Sequence, residues 1–135
     1  MKTFILQSVI ITLFCSLAHS QTGVIVQGVT PTQVSVAYTA PNSSACTLAL
    51  STSNTLSPLV VDLQTDAGGA NDLARASTVT NGLARVVVIG KRNAVLSTIN
   101  GYNNQYVSNA LTTNTQYFGS VTCGGSPVTF GFTTM

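Results

Sequence analysis

The stretch Leu111-Thr112-Thr113-Asn114-Thr115-Gln116-Tyr117-Phe118-Gly119-Ser120-Val121-Thr122-Cys123-Gly124 decides the fold of this 135-residue chain. A leucine and a short polar turn precede a tyrosine that opens an alternating strand. A phenol at such a corner keeps its ring in the core while its hydroxyl bonds back to the backbone upstream. The pattern therefore predicts an all-β sandwich of two sheets, with Tyr117 at the turn between two strands.

The rest of the chain is read outward from that corner. Downstream, Gly124-Gly125 predicts a hairpin into a last strand over residues 128–134, with Phe130 and Phe132 inward. Upstream, Gln33-Val34-Ser35-Val36-Ala37-Tyr38-Thr39-Ala40 alternates apolar and small polar residues until Pro41 stops it. The run Cys46-Thr47-Leu48-Ala49-Leu50-Ser51 places Cys46, Leu48 and Leu50 on one face. Residues 83–89 are the most β-branched run, follow the tight-turn pair Asn81-Gly82, and predict a strand with Arg85 pointing outward. Leu59-Val60-Val61 reads as a short strand after Pro58, and residues 62–82 show no sustained period. A structureless segment of that length is either functional or ordered by something bound.

These motifs resemble a known family. Residues 111–117 resemble the Leu-x-Pro-x-Thr-x-Tyr signature of fibronectin type III domains, with Thr113 where the family usually has proline. Residues 34–41 resemble the family's second strand, Val-x-Val-x-Trp, with Tyr38 in place of the tryptophan. Residues 69–75, 85–92, 111–124 and 132–134 look similar to fibronectin III-like domains of bacterial secreted proteins. The resemblance implies an immunoglobulin-like, fibronectin type III-like two-sheet sandwich across nearly all of residues 21–135. It implies no catalytic residue, because this architecture hosts many unrelated roles.

The first twenty residues carry Lys2, an apolar run over residues 4–18 broken by Gln7 and Ser8, and the small-residue site Ala18-His19-Ser20. This is the form of a secretory signal peptide. The expected mature chain starts at Gln21, whose amine can cyclise, and has no membrane span. Its location is expected to be extracellular or on the cell surface. Two cysteines remain, Cys46 and Cys123, and the oxidising compartment makes one intramolecular disulfide the default. Two free thiols, or a bridge between chains, are the alternatives. In the topology implied by the resemblance, the third strand lies antiparallel to the sixth, which brings both cysteines to the same end of one sheet.

Asp62, Asp66 and Asp72 face Arg75, Arg85, Lys91 and Arg92, so the expected mature chain is nearly neutral and lacks the basic field that nucleic acid requires. The one histidine, His19, leaves with the signal, and the chain holds no glutamate. Histidine-based nucleophile triads and closed zinc sites are thereby excluded from the secreted form. Three aspartates in one irregular segment are a poor basis for a fixed carboxylate pair. The expectation is a protein that is not an enzyme.

Several candidate contacts remain. Val24, Ile25 and Val26 form an edge strand, which either belongs to its own sandwich or adds to a neighbour's sheet. Asp62, Asp66 and Asp72 are candidate calcium ligands, against the simpler reading of turn formers. Gly68-Gly69-Ala70-Asn71-Asp72-Leu73 is a poor match to one calcium-binding nonapeptide repeat, because its third glycine is missing. Lys91 and Arg92 sit in a turn, solvated or contacting an anion or glycan, and Tyr102 and Tyr106 lie in the polar loop 100–106, of a composition that binding loops favour. Asn42-Ser43-Ser44 is a turn and also a glycosylation sequon. The function expected is a secreted structural or interaction protein: an adhesive or self-assembling subunit of a filament or surface layer, partnered by itself or another extracellular protein. The alternatives are a module for a glycan or other small ligand, and an accessory partner of a secreted enzyme. No cofactor is expected beyond the candidate calcium.

Overall fold

A computed structural model describes residues 20–64, 70–72, 76–80, 83–90, 94–96, 105–107 and 109–135. The expected signal peptide lies almost wholly outside these residues, as do Asn81-Gly82, Lys91 and Arg92. The described chain is all-β. Its strands are β1 (Thr22–Val29), β2 (Val34–Thr39), β3 (Thr47–Ser51), β4 (Ala70–Asn71), β5 (Ala76–Thr80), β6 (Ala84–Ile89), β7 (Ala94–Leu96), β8 (Gln105–Val107), β9 (Gln116–Thr122) and β10 (Val128–Thr133).

Two four-stranded antiparallel sheets form, in the orders β1-β2-β6-β5 and β10-β9-β3-β4, and β7 pairs with β8 in a separate ribbon. Alternation in the sequence produces the core directly. Val34, Val36 and Tyr38 of β2 and Val87 and Ile89 of β6 form one wall. Leu48 and Leu50 of β3 and Tyr117 and Val121 of β9 form the other, and all belong to one buried cluster. Phe130 and Phe132 are partly buried against that cluster, on the inward parity expected of them. Phe132 is the register partner of Tyr117, and their rings stack with centroids 5.4 Å apart. Phe130 lies opposite Gly119, where a Cβ would come within 2.3 Å of the ring, so the glycine is what admits the aromatic side chain.

Three expectations need correction. Residues 59–61 form no strand: Val60 N donates one bond to Leu50 O, and a 3-10 turn, Val61–Leu63, begins at once. Residues 62–82 are not structureless, because β4 pairs with β3 and β5 pairs with β6. Gln105 and Tyr106, read as part of a loop, lie in β8.

Candidate functional site

The two ends of the core are closed by different chemistry. At the end where β9 begins, Tyr117 is buried and its hydroxyl oxygen accepts from Thr112 N at 2.9 Å. The tyrosine corner read from the sequence is thus present in its hydrogen bond. The C-terminal Thr134 closes the same corner: its hydroxyl donates to Thr112 O at 2.6 Å and accepts from Thr115 N at 2.9 Å. Nearby, Asp62 is buried and accepts from Gly90 N at 3.1 Å and from Asn109 Nδ2 at 3.3 Å. Gly90 has φ 98°, and a Cβ there would lie 2.3 Å from Thr32 O, so no other residue fits this junction without strain. A shallow cleft beside the corner is lined by Pro58, Leu59, Val60, Asn109, Ala110 and Thr112.

At the opposite end, the disulfide Cys46–Cys123 joins the start of β3 to the end of β9, with Cα atoms 4.3 Å apart. The bridge lies within one sheet, at one end of it, as expected. Beside it is a buried pair of charges, of which Arg85 is the one the sequence alone placed wrongly. Arg85 does not point outward. It is 1% exposed, its Nη1 pairs with the Asp72 carboxylate, and its Nη2 donates to Asn42 O at 3.0 Å and Ser44 O at 2.7 Å. Asp72, fully buried, also accepts from the Tyr38 hydroxyl at 2.6 Å and from Cys46 N at 2.7 Å. Every buried side-chain nitrogen and oxygen among the described residues has a partner, which is the condition under which a buried ion pair is tolerated. Burial, reinforced by the adjacent Asp72 carboxylate, pushes the Tyr38 phenol far above its ordinary range, so it stays protonated and donating.

Gln21 belongs to this end as well. Its side-chain amide is buried against the β9–β10 hairpin, where Nε2 donates to Val121 O and to Ser126 O at 3.1 Å and Oε1 accepts from Cys123 N at 3.1 Å. Two residues apart where β9 ends, Val121 O and Cys123 N are satisfied by this one amide, which acts as a stand-in peptide unit.

The sequence-derived candidates are therefore dispersed. Asp72 is committed to Arg85 and Tyr38, Asp62 to Gly90 and Asn109, and Asp66 lies outside the described residues. No group of three or more His, Cys, Asp or Glu that could hold a metal occurs among the described residues. Tyr102, Lys91 and Arg92 also lie outside them; of Tyr106 only the strand position is described. Val24, Ile25 and Val26 lie in β1, paired with β2 of their own sheet, and Ile25 is 54% exposed. No helix among the described residues is long and apolar enough to cross a membrane.

No family model, curated protein or solved structure matches the chain. The functional reading therefore rests on its own residues.

Proposed function

We propose that this chain is a secreted, non-enzymatic structural or interaction protein built on an immunoglobulin-like, fibronectin type III-like sandwich, which associates with further copies of itself through its sheet edges. For the fold, the support is the strand order. Taking β1, β2, β3, β5, β6, β9 and β10 as A to G reproduces an A-B-E-D sheet facing a C-F-G sheet, with a tyrosine corner at the start of F.

For the function, one observation carries the reading: the β10 edge bears no charge, proline or bulge. β10 stands at the edge of its sheet with six consecutive register pairs to β9, and neither it nor β1 contains a charged residue or a proline. Edges of soluble monomers are usually blunted by lysine, proline or bulges. β1 has the bulges, with register shifts between Thr22 and Ile25 and between Val26 and Gly28; β10 has none of these guards. A regular edge without such guards is the geometry that accepts an added strand, with β1, which passes close to β10, the neighbour an incoming strand would have to displace or flank.

The test is electron microscopy with light scattering on the secreted, oxidised protein, beside a Thr129→Lys variant. Thr129 is exposed on β10, so the lysine should leave the fold intact while guarding the edge. Filaments or regular oligomers that the variant loses are the expected result. A wild-type monomer at high concentration refutes the reading.

A further inference from the structure

Gln21 holds two properties that exclude each other. If the chain is cleaved after Ser20, Gln21 carries a free α-amine, and an N-terminal glutamine can close on itself. In that reaction the amine nitrogen attacks Cδ, a C–N bond forms, the Cδ–Nε2 bond breaks, and Nε2 departs as ammonia with the proton the amine gives up. No oxidant or other reagent is consumed. Yet Nε2 is the atom that donates to both Val121 O and Ser126 O, while Oε1 is held by Cys123 N. Both ends of the side-chain amide are thus bonded to a hairpin about a hundred residues away in sequence.

We infer that Gln21 is a modification site gated by folding: it remains an open glutamine while the N-terminal strand is docked, and cyclises to pyroglutamate only when that strand is released. Ring closure from the docked state requires three hydrogen bonds to break first. Once closed, the lactam lacks the amide nitrogen that served two carbonyls, so Val121 O and Ser126 O lose their donor and the strand cannot re-dock with the same contacts. Cyclisation is also irreversible in water on the timescale of folding. The modification would therefore record, covalently, that a molecule has had β1 detached.

The observation beneath this is independent of self-association, since it concerns β1 in its own domain. The first step is to secrete the full chain and determine the mass of its N-terminal peptide. A chain that begins at an uncyclised Gln21 is expected. A different mature end, or a fully cyclised folded product, overturns the inference. The folded, oxidised protein is then incubated beside the same protein reduced in denaturant and beside a free peptide of residues 21–28, and loss of one ammonia is followed by mass spectrometry. The folded protein should cyclise at least about tenfold more slowly than either reference, because only the locally open fraction can react. Equal rates in all three samples would show that docking offers no protection. As a second measurement, hydrogen exchange at Cys123 N should be slow in the open form and faster in protein deliberately cyclised before refolding; no difference also overturns the gating.

Discussion

The disulfide end and the corner end of this core solve the same problem with different materials. Both must close a sandwich whose strands stop and leave backbone groups exposed. The corner end is closed around one local bond, Thr112 N to the Tyr117 hydroxyl five residues on, joined by the Thr134 hydroxyl to Thr112 O and by Gly90 N to the Asp62 carboxylate. The disulfide end uses a covalent bridge across 77 residues, the Gln21 amide, 102 residues from Cys123, and a buried ion pair whose further partners Cys46, Tyr38, Asn42 and Ser44 lie 26 to 43 residues away. A local seal can form as soon as its hairpin does. A non-local one demands that the whole topology be in place, so the costly buried charges of Arg85 and Asp72 are satisfied in the correct arrangement and left unpaired in others.

Breaking the ion pair should give the largest effect. Asp72→Asn leaves the Arg85 guanidinium buried without its counter-charge and should cost about 3–5 kcal/mol in urea denaturation under oxidising conditions. A loss below about 1 kcal/mol would mean that water or another acceptor replaces the carboxylate. Next in size is the bridge: the Cys46→Ser, Cys123→Ser double variant should lose about 2–4 kcal/mol, measured by the same titration against the wild type. Tyr117→Phe tests the opposite end. It removes only the acceptor for Thr112 N and should cost about 1–2 kcal/mol, the penalty for a part-buried donor left without a partner.

The smallest effect is one of pH. The Tyr38 phenol is raised in the folded state, so the folded protein holds this proton more tightly than the unfolded chain does. Its contribution is complete below the unfolded value of about 10 and is lost as pH rises above it, at about 1.4 kcal/mol per pH unit. Stability to urea should accordingly be level from pH 7 to 9 and fall from pH 10 to 11. A Tyr38→Phe variant should show a shallower fall over the same interval.

The corner end was legible in the sequence because its signals are local. Leu111, the polar turn and Tyr117 lie within seven residues, and alternation marks β2, β3, β9 and β10 with the correct inward faces. The disulfide was legible because only two cysteines lie beyond the expected signal region. Arg85 was misplaced because its strand, Ala84–Ile89, is apolar on both parities, so alternation could not choose a face. The rule that arginine points outward then decided wrongly. One signal could have reversed it: Arg85 shares parity with Val87 and Ile89, and a core already expected to contain Tyr38 needed a partner for that hydroxyl. Gln21 could not have been found this way, since its partners, Val121, Cys123 and Ser126, are backbone atoms distant in sequence. The short strands β4 and β5 escaped because they depend on pairing with β3 and β6 rather than on any period of their own.

The position of the bridge also fixes how the domain would respond to being pulled. β1 starts beside Cys123, at the disulfide end, and β10 finishes beside Thr115, at the corner end, so tension between the two termini draws them toward opposite poles. The ladder between β1 and β2 is then loaded along its length, in shear, with its bonds sharing the force instead of parting one at a time. Force that does pass β2 meets Cys46 and crosses the sulfur bridge directly to Cys123, bypassing the chain between them, a sequence separation of 77. Only the segments outside the bridge can pay out as slack. The stretch from β3 to β9, including the Arg85–Asp72 pair and Tyr117, would stay under no load while the ends extend.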